Sequence, residues 1–131
     1  MGDITTTFGD NAGLIWRILN ENGPTSKYDL LKKSNLDKNE LNAALGWLAR
    51  ENKICRDGKD TYWLDHNTNL TPEIGKNAGK VYKVIDIWGD VDIPILKKLV
   101  NAEEEEIFSA LGWLAREDKI LTDEKNRLNI K

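Results

Sequence analysis

A mainly α fold, built twice from one small unit of three helices and a β-hairpin, is what this sequence predicts, on three observations. The string ALGWLARE-(N/D)-KI runs from Ala44 to Ile54 and again from Ala110 to Ile120. Shifted by 66 places, residues 4–65 align with residues 70–131 without a gap, and 22 of the 62 pairs are identical. Within each copy the apolar spacing is helical first and becomes short and strand-like at the end. A repeat of this length, with only His66 to Asn69 between the copies, predicts two units of the same fold, 1–66 and 67–131.

Helix 1 is predicted from Phe8, Ala12, Ile15 and Leu19, and from Ile74, Ala78, Val81 and Ile85, because each set falls on one stripe of a helix. Thr71 followed by Pro72 reads as an N-cap with a first-turn proline, and Gly23 and Gly89 end the helix. Helix 2 opens at Ser26, with Asp29 three residues on, or at Asp92, and closes at Asn35 or Asn101, since asparagine tolerates the left-handed conformation. Helix 3 starts at Asp37-x-x-Glu40 or Glu103-x-x-Glu106. It buries Leu41, Ala44, Leu45 and Leu48, or Ile107, Ala110, Leu111 and Leu114. A hairpin then follows: KICR and TYWL flank Asp57-Gly58-Lys59-Asp60, and KILT and RLNI flank DEKN.

Three helices with a tight turn between the second and third, then a β-hairpin wing, is the order of a winged helix-turn-helix. The prediction is therefore a tandem winged helix-turn-helix. With FGDNAG and IGKNAG in helix 1 and ALGWLARE-x-K-I in helix 3, each unit resembles a prokaryotic winged helix-turn-helix family of unknown function. The resemblance covers essentially the whole chain, twice. It implies the fold and a broad association with nucleic-acid-binding winged helices, but no particular activity.

Composition removes several classes of function. With 40% hydrophobic and 31% charged residues the chain has the balance of a soluble globular protein, and its apolar runs are too short to span a membrane. MGDITTTFGD shows no secretory signal, so a cytoplasmic setting is expected. One cysteine and one histidine leave no internal disulfide and no usual zinc site. Cys55 aligns with Leu121, so it reads as a small buried side chain, and His66 reads as a linker residue. No nucleophile with its base, no carboxylate pair and no phosphate-binding glycine loop is recognisable, so neither an enzyme nor a cofactor is expected.

Helix 3 departs from a DNA-reading helix. Its outer side and flank carry Ala43, Gly46 and Trp47, or Ser109, Gly112 and Trp113, where base-reading side chains belong. Glycine inside a helix costs about 1 kcal/mol against alanine, so a close approach to the backbone is expected at Gly46 and Gly112. The same argument applies to Gly9 and Gly13, and to Gly75 and Gly79, in helix 1. One reading lays each tryptophan on the glycines of its own helix 1. The other brings the Ala43-xxx-Trp47 and Ser109-xxx-Trp113 sides together across a pseudo-two-fold, or against a second chain.

The candidate DNA contacts all lie in unit one: Ser26 and Lys27 on helix 2, Lys38, Asn39 and Asn42 on helix 3, and Arg56 and Lys59 on the wing. Unit two has Glu103 to Glu106 at the equivalent place, which favours helix capping and opposes phosphate. A net charge of −3 with pI near 5.2 makes neither half a basic module. The leading expectation is a transcription- or chromatin-associated factor whose unit one contacts double-stranded DNA while unit two mediates association. The alternative is a protein-interaction scaffold that binds a protein partner or a second copy of itself and no nucleic acid.

Overall fold

The computed structural model describes residues 4–58, 60–123, 125 and 127–131. Unit one runs α1 (Ile4–Asn22), β1 (Thr25–Ser26), α2 (Lys27–Ser34), α3 (Lys38–Arg50), β2 (Ile54–Arg56) and β3 (Thr61–Leu64). Unit two runs from a π-helical turn, Thr71–Gly75, into α4 (Lys76–Trp88), then α5 (Ile93–Val100), α6 (Glu104–Arg116), β4 (Ile120–Thr122) and β5 (Leu128–Ile130). The fold is mainly α with small antiparallel wings, as the periodicity predicts.

Local chemistry accounts for most of the boundaries. The Ser26 hydroxyl accepts from the Asp29 amide at 3.1 Å, and Asp92 Oδ1 accepts from the Ile95 amide at 3.0 Å. Asn35 and Asn101 close α2 and α5 at φ of 59° and 60°, while Gly23 and Gly89 follow α1 and α4 at 72° and 58°. Asp37 and Glu40 form a reciprocal capping box at the start of α3. Replacing Asp37 by alanine strands an amide at that end and should cost about 1 kcal/mol in denaturant unfolding.

Thr71 is not the cap. It already lies inside the first turn, the cap position is Leu70, and no side chain caps that end. Leu70 is held instead by its own burial and by the Thr68 hydroxyl, which accepts from the Leu70 amide at 3.1 Å. Thr71→Ala should therefore leave stability within about 0.5 kcal/mol of the parent, in contrast to Asp37→Ala.

Each wing packs on helices of its own unit, β4 of the second also touching α1 of unit one, and the first has an additional strand. Thr25 and Ser26 pair antiparallel with Tyr62 and Thr61, giving a three-stranded sheet in the order β1-β3-β2. In unit two the same contact shrinks to one bridge, Val91 with Leu128. The sequence does not announce either pairing, because two residues are too few for an alternating pattern. Among the described residues of the first wing's turn, Asp60 is left-handed, at φ 61°. Lys59 lies outside the described residues.

The two hydrophobic cores interleave. One contains Ala12, Ile15, Leu19, Leu30, Leu41, Leu45 and Leu48 from unit one, and also Leu70 and Ile74 from unit two. The other contains Val81, Ile85, Leu96, Ile107, Leu111 and Leu114 from unit two, and also Phe8 and Ala43 from unit one. Phe8 and Ile74 are equivalent in the repeat, so the first turn of each unit's opening helix reaches into the other unit's core. The segment between the units is tied down as well. Asn69 accepts from the Arg56 amide at 3.0 Å and donates to the Arg56 carbonyl at 2.7 Å, and the Cys55 thiol donates to the Asn67 carbonyl at 2.9 Å.

Candidate functional site

The largest contact between any two elements, among the described residues, joins α3 to α6, the two helices that would enter DNA grooves in a pair of winged helices. Their backbones meet at the two glycines. A Cβ built on Gly46 would fall 1.9 Å from the Ser109 carbonyl oxygen, and one built on Gly112 would fall 1.8 Å from that of Ala43. Ala43 equates with Ser109 and Gly46 with Gly112, so the pair of contacts is the signature of a two-fold: residue i meets j while j′ meets i′. A carbonyl occupies the space where any other residue would put its first side-chain carbon.

Around this crossing the same symmetry repeats in the side chains. Arg50 Nε donates to Glu117 at 3.0 Å, and Arg116 Nε donates to Glu51 at 3.0 Å. The Arg50 guanidinium lies 5.8 Å from the centre of the Trp113 ring, and that of Arg116 lies 5.9 Å from the Trp47 ring. These arginines are half exposed, so each ion pair contributes at most about 1 kcal/mol and serves register more than stability. All four charged residues sit in the repeated string, where their identity in both copies was the available signal.

Each tryptophan answers to both readings of its position. The Trp47 ring lies 3.1 Å from a Cβ built on Gly9, and the Trp113 ring 3.3 Å from one built on Gly75, so each indole covers the glycine of its own opening helix. Each also packs against both cores. Gly13 and Gly79 are a correction: nothing lies within 4 Å of a Cβ at either position. One turn further along the helix has passed beyond the indole, so the close approach expected of each glycine pair occurs only at its first member.

The residues proposed for DNA face a carboxylate surface supplied by the other unit. Lys27 reaches Glu105 at 3.3 Å and Asn42 at 3.1 Å. Asn42, only 3% exposed, donates to the Lys38 carbonyl at 2.9 Å, so it is not available to a base edge. Asn39 donates to Glu104 at 3.0 Å. Ser26 is occupied as a helix cap. Arg56 of the first wing pairs with Glu73 at the start of unit two, and burial pushes the neighbouring Tyr62 phenol up while Arg56 pulls it back. Lys38 is exposed, but it sits in a cleft of about 650 Å³ shared with Asp37, Glu103, Glu104 and Glu105. Glu104 and Glu105 are thus directed at unit one, which reading each helix separately did not reveal, while Glu103 and Glu106 form the capping box of α6, as the capping reading expects. No group of residues suited to a metal ion occurs among the described residues, and no helix there is long and apolar enough to cross a membrane.

Set beside known proteins, the chain matches one family twice, described as Winged helix-turn-helix domain (DUF2582), over residues 3–67 and 65–130. It is also similar to an uncharacterized protein, MJ1608, of Methanocaldococcus jannaschii. The two are 38% identical over 58 residues, 40% of this chain and 81% of that one, which is therefore about the size of one unit. No solved structure matches.

Proposed function

Because the chain belongs to this winged helix-turn-helix family, as two fused copies, we propose that it is a non-enzymatic protein-interaction scaffold in which winged helices are used for assembly. One observation carries this reading: the two would-be recognition helices meet backbone to backbone at Gly46 and Gly112. A helix reads the major groove only if the face turned away from its own core is free to enter it. Here Ala43, Gly46 and Gly112 are fully covered, and Ser109 supplies its carbonyl to the crossing. Asn39 at the start of α3 and Lys27 at the start of α2 are engaged by Glu104 and Glu105, carboxylates that oppose phosphate. An overall charge of −3 adds no attraction for a polyanion.

The test is titration of a labelled mixed-sequence DNA duplex across a salt series, beside Lys38→Glu/Arg56→Glu. The scaffold reading expects no binding tighter than roughly 10⁻⁴ M at physiological salt, the weak limit of non-specific association. Micromolar binding that falls steeply with salt and is lost in the double variant would overturn it and restore the DNA-binding reading for unit one.

A further inference from the structure

We propose that a cavity at one junction between the units binds a small zwitterion, an amino acid with a short apolar side chain. The cavity has a volume of about 70 Å³, and unit one lines it with Lys27, Asn42, Arg56 and Tyr62. Ser109 and the opening helix of unit two line its other side. Two of these polar groups are deep: Asn42 is 3% and Tyr62 2% exposed. The duplication provides an internal control. At the junction related by the two-fold, Lys27, Asn42, Tyr62 and Ser109 are replaced by Ile93, Phe108, Leu128 and Ala43, which belong to the second core or pack against it. The same backbone is thus completed with apolar side chains at one junction and with polar ones at the other. Polar groups taken out of water cost stability unless they are paired, so the fold alone does not call for them.

Charge and size specify the ligand. Both cations of the cavity, Lys27 and Arg56, come from unit one, and its carboxylates, Glu73, Glu105 and Glu106, come from unit two. A simple anion would face all of the carboxylates and a simple cation both basic groups, whereas a molecule with one charge of each sign meets its opposite on either wall. Lys27 already pairs with Glu105, and Arg56 with Glu73. All four side chains are partly exposed, so these pairs are weak and can exchange partners with an incoming ligand. Other groups are uncommitted: among the described residues the Ser109 hydroxyl and Asn77 Oδ1 make no hydrogen bond. Burial pushes the Tyr62 phenol up, which keeps it protonated as a donor. The volume equals that of about five waters, which sets the ligand at about five or six non-hydrogen atoms. Leu45, Leu70 and Ile74 are buried and give the cavity an apolar wall that suits a methyl group. Alanine has this size and this chemistry.

The inference goes beyond the scaffold reading and its test involves no DNA, so either can fail without the other. Amide NMR of the full chain is followed during titration with L-alanine, and separately with propionate and ethylamine, which lack its ammonium and its carboxylate respectively. The expected result is saturable shifts at Tyr62, Asn77 and Ser109, with a Kd of roughly 1 mM or tighter for alanine and at least about tenfold weaker binding of either analogue. Lys27→Ile/Asn42→Phe installs the residues of the apolar junction, and Arg56→Thr installs the residue of the second wing. Each should weaken alanine binding at least about tenfold, and thermal unfolding identifies which of them is folded, one being enough. No saturation by roughly 10 mM alanine, equal binding of an analogue, or binding unchanged in a folded variant overturns the proposal.

Discussion

Replacing Gly46 by alanine is expected to destabilise the whole chain by more than about 3 kcal/mol, against the direction of helix propensity. Alanine is the better helix former by about 1 kcal/mol, so in an exposed helix the change would stabilise. Here the added carbon meets Ser109 O at 1.9 Å and Ser109 C at 2.7 Å. Both are backbone atoms and cannot rotate aside, so α3 and α6 have to separate, loosening the contacts that Trp47 and Trp113 make with both cores. Overpacking of side chains typically costs about 1 to 3 kcal/mol, and a clash of backbone with backbone belongs above that range. Gly13→Ala is the control, since its new carbon meets nothing within 4 Å and it is expected to gain up to about 1 kcal/mol. Melting temperatures of the two variants should therefore move in opposite directions. If both rise, α3 and α6 do not cross at Gly46.

The second large effect concerns the fragment 1–66, which is expected not to fold as a monomer. Leaving out unit two removes Leu70 and Ile74 from the first core and exposes Ala43 and Gly46, which are buried in the intact chain. Losing two large buried side chains costs about 2 to 5 kcal/mol each. A unit of this size has in total only about 0.05 to 0.15 kcal/mol per residue. Circular dichroism over a concentration series should show an unfolded chain at low concentration, with helix appearing only as two fragments associate through the glycine face. A fragment that is monomeric, helical and cooperatively unfolding at all concentrations would show that the interleaved cores contribute little.

Much of the fold was legible because its signals are local. Asn35, Asn101, Gly23 and Gly89 end helices through their own backbone conformations, and Asp37 starts one through its own side chain. The buried stripe Phe8, Ala12, Ile15 and Leu19 was legible for the same reason, although its period does not say that Phe8 serves the other unit's core. Thr71 misled because a cap depends on where the helix begins, and a π-helical turn moved that beginning by one residue. The candidate site was legible in outline: a glycine in midhelix beside a tryptophan indicates a close approach. What approaches was open, and so was the fate of Gly13, because the reach of an indole is a distance and not a spacing.

By itself, then, the sequence determined the repeat, the order of elements within it and, at Gly46 and Gly112, that something comes close to the backbone, since all of these arise from residues within a turn or two of each other or from the identity of two copies. Only the tertiary structure decided that Gly46 meets Ser109, that Glu104 and Glu105 answer Asn39 and Lys27, and that Leu70 and Ile74 complete a core across the duplication. The physical reason is that these pairings join residues far apart in the chain. They follow from how two copies of one surface fit together, which is a matter of shape and charge in three dimensions that no periodicity encodes.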